Sequence, residues 1–155
     1  MKRLIATYAL LMVLSMIIVS CEHKELCYSH PHSAKVSVEF EWSQMPAAYS
    51  PGGMRVIFYP RNGGEEIVRD FVGKKGGCVE IPSGVYDVVC FNNDTQRVKY
   101  NGADGFSSIA ATTGVAQVGD VKVFRTPDYL CGGRMVAVEV EVKIGCEQII
   151  VLPVA

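Results

Sequence analysis

The sequence predicts an all-β protein, an antiparallel β-sandwich following an N-terminal signal segment, and three observations carry that prediction. Ala34–Trp42 alternates Val36, Val38, Phe40 and Trp42 against Ser37, Glu39 and Glu41, the period of two that marks a strand with one buried face. Short apolar runs recur between Gly, Pro and Asn punctuation along the rest of the chain, a spacing typical of sandwiches. No segment beyond residue 21 repeats its apolar residues every 3.6 positions, so no amphipathic helix is expected there.

The chain opens differently. Lys2 and Arg3 precede the uncharged run Leu4–Val19, which ends at small Ser20 and then Cys21. A basic start, an apolar stretch and a small residue before Cys form a secretory signal of the bacterial lipoprotein type. Residues 1–20 are therefore read as a signal peptide, with cleavage between Ser20 and Cys21. Cys21 would carry the lipid, acyl chains of the palmitate class, and two or more chains give stable anchoring at about 0.8 kcal/mol per buried CH₂. The run is also long enough to span a bilayer, since ~17–25 residues suffice. An uncleaved anchor explains neither the Ser20-Cys21 junction nor the polar Glu22-His23-Lys24-Glu25 that follows.

Residues 21–33 read as a polar tether and 34–155 as the sandwich. Strands are expected at Ala34–Trp42, Met54–Tyr59, Glu65–Val72, Cys78–Ile81, Val85–Phe91, Phe106–Ala111, Val118–Phe124, Met135–Ile144 and Gln148–Leu152. The turns between them are Ser50-Pro51-Gly52-Gly53, Arg61-Asn62-Gly63-Gly64, Gly73–Gly77 and Asn92-Asn93-Asp94. Pro82-Ser83-Gly84 is expected to close a hairpin between the fourth and fifth strands. In Met135–Ile144, Val136, Val138, Val140 and Val142 alternate with Ala137, Glu139, Glu141 and Lys143, which assigns all four valines to one face.

Charge and residue chemistry exclude several functions. The full chain has 15 Lys+Arg against 16 Asp+Glu, and without Lys2 and Arg3 its net charge falls from −1 to −3. A nucleic-acid binder needs a basic stripe to neutralise phosphates, so no nucleic-acid partner is expected. The three histidines, His23, His30 and His32, all lie on the tether. The body thus lacks the imidazole that Ser-His or Cys-His catalysis places beside its nucleophile. His23, Cys27, His30 and His32 are of metal-ligating types, but their spacing matches no standard site, and no metal or cofactor is expected. Glu39/Glu41 and Glu139/Glu141 stand at i, i+2 on the polar faces of their own strands, the pattern of a solvated face rather than of an acid–base pair. Gly73-Lys74-Lys75 lacks the first glycine and the Ser/Thr of a phosphate loop. The protein is read as a non-enzyme.

With Cys21 assigned to lipid, Cys27, Cys78, Cys90, Cys131 and Cys146 remain, an odd number that cannot all pair internally. Cys78 and Cys90 flank the expected hairpin on one side by parity, which makes them the best candidate pair. The last strand holds the uncharged run Ile149-Ile150-Val151-Leu152. An edge strand with no charge offers free backbone groups to another chain, while a central strand is apolar because it is core. Both readings fit, and Ile149, Ile150, Val151 and Leu152 are the candidate partner strand.

Taken together, Cys21-Glu22-His23-Lys24-Glu25-Leu26-Cys27-Tyr28-Ser29-His30-Pro31-His32, the Val36–Trp42 alternation, Gly53-Met54-Arg55-Val56-Ile57-Phe58-Tyr59-Pro60, Ile81-Pro82-Ser83-Gly84-Val85-Tyr86, Asn92-Asn93-Asp94-Thr95, Ala111-Thr112-Thr113 and Pro127-Asp128-Tyr129-Leu130 resemble the fimbrillin-like lipoproteins of Bacteroidetes. Within that group the chain is similar to a branch beside the fimbrial anchor subunits of type V pili, and corresponds to their N-terminal domain only. The resemblance implies a transthyretin-like or immunoglobulin-like sandwich, tethered to the outer membrane and facing either the periplasm or the cell surface. It implies anchoring or acceptance of a fimbrial subunit by strand addition, in the service of cell adhesion. A surface glycan- or ligand-binding lipoprotein is the alternative.

The anchor reading has a direct consequence. Cells fed labelled fatty acid should label the wild-type chain, and the Cys21→Ala variant should lose both the label and its partitioning into detergent. Undiminished labelling of the variant would remove the lipid from Cys21.

Overall fold

Eleven strands account for the regular structure in the computed structural model, which describes residues 33–126, 128–142 and 148–155. These belong to one unit, Pro31–Ala155, and the segment Met1–His30 lies outside the described residues. In chain order the strands are β1 (Ser33–Glu41), β2 (Gly53–Pro60), β3 (Ile67–Val72), β4 (Gly77–Pro82), β5 (Gly84–Asn92), β6 (Val98–Asn101), β7 (Ala110–Thr113), β8 (Val115–Val118), β9 (Val121–Phe124), β10 (Gly132–Val140) and β11 (Gln148–Pro153). No helix occurs among the described residues.

The strands form two facing sheets with strand orders β11-β1-β4 and β10-β5-β2-β3, and two ribbons, β6-β7 and β8-β9. The expected sandwich is present. All ladders are antiparallel except β1 with β11, which run parallel from Val36↔Gln148 to Glu41↔Pro153. Alternation on β1 turns Ala34, Val36, Val38 and Phe40 inward, against Val56 and Phe58 of β2, Val88 and Cys90 of β5, Val138 and Val140 of β10, and Ile150 and Leu152 of β11. β2 and β5 also bury their other face. Ile57, Tyr59, Val89 and Phe91 pack under Ile109, Tyr100, Ala103 and Phe106. Trp42, expected on the buried side, is half-buried just past β1, where its Nε1 donates to Lys74 O (3.1 Å).

Five sequence expectations need correction. Pro82-Ser83-Gly84 does not close a hairpin, because β4 belongs to one sheet and β5 to the other. The turn is a corner between layers, fastened by the Tyr86 hydroxyl, which donates to Pro82 O (2.8 Å). The Cys78–Cys90 pair is therefore not formed: Cys78 is exposed and Cys90 is buried in the core. The single strand expected at Val118–Phe124 is part of the β8–β9 ribbon, turned at Gly119 (φ +62°). The strand expected at Phe106–Ala111 starts later, at Ala110, after turns at Gly102 and Gly105, and it pairs with β6, which carried no clear signal.

The fifth correction concerns β10. Val136 does not share a face with Val138 and Val140; it is 61% exposed while Val138 and Val140 are buried. The ladder to β5 pairs Met135↔Val88 and then Val138↔Tyr86, so Val136 and Ala137 together oppose Asp87. This is a β-bulge, in which one extra residue shifts the phase of the strand.

The core packing sets a test. Phe58 is fully buried, so Phe58→Ala should cost about 3–5 kcal/mol in chemical denaturation through lost burial and a cavity. Val72, 92% exposed on edge strand β3, should change stability by no more than about 0.5 kcal/mol on replacement by Ala.

Candidate functional site

The candidate strand Ile149–Leu152 lies on β11, at one edge of its sheet. Val154 donates its N–H to Glu41 O (3.0 Å), so that side of the chain faces β1. Ala155 donates to Gly132 O and accepts from Gly132 N, both at 3.1 Å, so the opposite side faces β10. Backbone groups alternate along a strand. The N–H and C=O groups of Ile150 and Leu152 are thus directed to β1, and those of Ile149 and Val151 away from it. The side chains alternate as well: Ile150 and Leu152 are core, while Ile149 (59%) and Val151 (46%) are exposed.

The space beyond that edge is a seam between the two sheets. At one end it is closed by the Gly132–Ala155 pair. At the other end the Gln148 side chain bridges it, donating to Glu139 O and accepting from Glu141 N. No ladder joins β10 to β11 in between. Pro153 ends β11 without an N–H to offer.

The seam is supported by a polar node. Asn92 is the buried polar residue at the end of β5. Its Nδ2 donates to Asp94 Oδ1 (2.9 Å) and Tyr129 O (3.0 Å), and its Oδ1 accepts from Cys131 N (2.9 Å). Asp94 Oδ2 accepts from Gly52 N (2.7 Å). One side chain and its carboxylate partner thus join the loop before β2 and the segment entering β10, which in turn holds Gly132 against Ala155. Burial works against the Asp94 charge, but the hydrogen bonds from Gly52 and Asn92 prevail and lower its pKa. The Asn92-Asn93-Asp94 stretch was legible as a loop; nothing in the sequence showed that its first member would be buried.

Other surfaces offer less chemistry. Tyr49 and Tyr129 stack with centroids 3.8 Å apart over a depression of about 180 Å³ that Asp94, Thr95 and Asp128 also line. Its carboxylates are engaged: Asp128 Oδ2 accepts from the N–H groups of Gln96 (2.8 Å) and Arg97 (2.7 Å). A cleft of about 360 Å³ runs between β7 and the start of β10. It is lined by Ile109, Ala110, Ala111 and Leu130, and its Arg134 lies over the Phe106 ring. Cys90 and Cys131 are buried there, and burial pushes the Cys90 thiol up to about 12, which leaves it inert as a nucleophile. Among the described residues no group of three or more His, Cys, Asp or Glu is placed to hold a metal. Ser20, Cys21, the tether histidines, Cys27 and Cys146 lie outside the described residues.

A family model described as a domain of unknown function, DUF5119, matches residues 20–154. The chain belongs to this family. A Bacteroides ovatus (strain ATCC 8483) protein, provisionally named fimbrium anchoring subunit Fim4B, is 30% identical over 129 residues. The match takes in 79% of this chain and 38% of that protein. The crystal structure of a chain from the same strain, provisionally described as an adhesin, has the same fold, with a TM-score of 0.70. At 24% identity, the likeness covers 87% of this DUF5119 chain and 48% of the other. This chain therefore spans well under two thirds of either relative.

The Asn92 node yields a prediction with a pH dependence. Asn92→Ala strands the Cys131 N–H and Tyr129 O and should lower stability by about 2–4 kcal/mol. Asp70 (held by Arg55), Asp87 (held by the Ala137 N–H and Arg61) and Asp94 all have lowered pKa values. A carboxylate whose folded pKa is depressed stabilises the fold above its unfolded value of about 3.9 and loses that contribution as pH falls through the folded pKa. The midpoint of denaturation should hold near pH 5–7 and fall steeply below about pH 4. A flat acid limb would contradict the three assignments.

Proposed function

We propose that this chain is a non-enzymatic cell-envelope structural protein, anchored to the outer membrane by lipid on Cys21, that accepts a strand from a fimbrial or other surface subunit along β11. The observation that carries the reading is the edge itself. β11 ends its sheet with the backbone groups of Ile149 and Val151 unclaimed by any ladder and with their apolar side chains exposed. Soluble sheets normally guard such edges with charge, and this one has none between Gln148 and Pro153. Extended peptides bind such edges through backbone hydrogen bonds, with alternate side chains giving specificity.

Three further lines support the reading. The fimbrium-anchoring name of the relative from Bacteroides ovatus gives the role a precedent within similar sequences. The Ser20-Cys21 junction supports an envelope anchor. The absence of histidine from residues 33–155 argues against hydrolase chemistry. The glycan-binding alternative has less support, because the carboxylates beside the Tyr49–Tyr129 stack are committed to backbone donors.

Two proline substitutions separate an acceptor edge from ordinary core. Val151→Pro removes an outward N–H and should leave the protein folded while weakening subunit capture. Ile150→Pro removes an N–H directed to β1 and should detach β11 and unfold its sheet, at a cost of about 3 kcal/mol or more. Photo-crosslinking from position 151, in cells assembling surface filaments, should trap a filament subunit. Val151→Pro that captures as well as wild type, or crosslinks that never reach a subunit, would overturn the reading.

A further inference from the structure

We propose that the bulge at Val136–Ala137 is the device that holds β10 off β11 and so keeps the outward edge of Ile149 and Val151 unpaired. The proposal rests on the acceptor reading above, and it adds the element that creates the acceptor.

The seam begins as an ordinary antiparallel pair, Gly132 with Ala155. Counted from that pair, Arg134 falls opposite Pro153, Val136 opposite Val151, and Val138 opposite Ile149. In a regular strand Val136 would meet Val151 and the ladder would propagate, joining the two sheets along this side. The bulge intervenes at that point. Before it, even-numbered Gly132 turns its backbone groups to β11. After it, odd-numbered Glu139 and Glu141 do so, and only through the Gln148 side chain. The phase has changed by one residue, and the gap has widened from a backbone hydrogen bond to the reach of a glutamine.

Ala137 holds this shape at φ +54°, the one positive φ among the described non-glycine residues. Side-chain-bearing residues disfavour that region, so the shape needs support. Asp87 supplies it: its Oδ1 accepts the Ala137 N–H (2.9 Å) and also Arg61 Nε (2.8 Å). Arg61 is fixed in turn by its own N–H, which donates to Val85 O (2.9 Å). Strand β5, the end of β2 and the bulge are thereby tied at one carboxylate. Bulges of this kind end strand pairing and re-aim edges.

The geometry also provides a clean removal. Met135 packs inward and Val136 outward, and Val138 is buried. Deleting Ala137 alone leaves Met135, Val136, Val138, Glu139 and Val140 in regular alternation, with no side chain changing face.

The test is hydrogen exchange of single amides in the full mature chain. In wild type, the Ile149 and Val151 amides should exchange fast, while those of Ile150 and Leu152, directed to β1, are protected. In the Ala137 deletion, exchange at 149 and 151 should slow at least tenfold. A folded deletion with unchanged rates there overturns the proposal. Ala137→Gly keeps the bulge without strain and should leave both amides fast; slowing in that variant also overturns it. If the deletion does not fold, Asp87→Ala gives the same reading, since the Ala137 N–H loses its acceptor. Slowing at 149 and 151 then supports the device, and unchanged rates reject it. The readout needs no partner. Protection that appears as expected, in a protein whose position 151 never crosslinks to a filament subunit, keeps the bulge's role and rejects the acceptor reading.

Discussion

Strands β2 and β5 are apolar on both faces, and the rest of the architecture answers that constraint. Val56, Phe58, Val88 and Cys90 face inward, while Ile57, Tyr59, Val89 and Phe91 face the other way, all buried. A strand of this kind must be covered twice. The β11-β1-β4 sheet covers one side. The excursion from Val98 to Thr113 covers the other, with Phe91 stacked on Tyr100 at 3.8 Å and the Tyr59 hydroxyl donating to Ala103 O (2.8 Å). Buried hydroxyls need partners, so these bonds also fix where the covering segment lies. β3 and β10 flank the pair and are only half covered. The exposed strand edges follow from this arrangement: they fall at the borders of the two sheets, β3 and β4 on one side, β10 and β11 on the other.

How much of this could be read in advance depended on which force decided each element. β1 was legible because period-two burial against a single core decides it, and Val36, Val38 and Phe40 are where alternation placed them. β5 was legible from its apolar run, but its partner was not. Pro82-Ser83-Gly84 shows that two strands are joined tightly; whether they share a sheet depends on what each buries, and β4 faces β1 while β5 faces β2. β6 was hidden because Val98-Lys99-Tyr100-Asn101 is short and derives its order from β7 and Phe91 rather than from its own pattern. The bulge was invisible for a stronger reason. Val136-Ala137-Val138 is an unbroken alternation, and the carboxylate that overrides it, Asp87, lies 50 residues away. The ambiguity of Ile149–Leu152 between edge and core was real, since the strand is both: one face of it is core, and one edge of it is bare.

The parallel pairing of β1 and β11 has a consequence for that bare edge. A parallel neighbour claims alternate residues of β11, so only Ile149 and Val151 present backbone groups outward before Pro153 removes the next donor. Gln148 closes the other end with its own side chain. The window is two outward-facing residues long and bounded by features of different chemistry. A slip of one residue would turn every side chain of an incoming strand to the wrong face. A slip of two would put one of its acceptors opposite Pro153, or its backbone against the Gln148 amide. A short, bounded edge therefore selects one register, which a long unguarded edge does not.

Magnitudes then decide what kind of strand can hold there. Each backbone hydrogen bond adds a net of only about 0.5–1.5 kcal/mol once exchange with water is counted. The few bonds that two residues supply cannot alone offset the cost of association, about 4 kcal/mol or more. Apolar side chains carry the larger share, at about 1.5–3 kcal/mol for each fully buried Val, Leu, Ile or Phe. The exposed Ile149 and Val151 supply that surface on one face of the window, and Glu39, paired beside Val151 on β1, borders it with negative charge. On the acceptor reading proposed above, a strand added at this edge would carry bulky apolar residues at alternate positions. Backbone pairing would set its register, and side-chain burial its affinity.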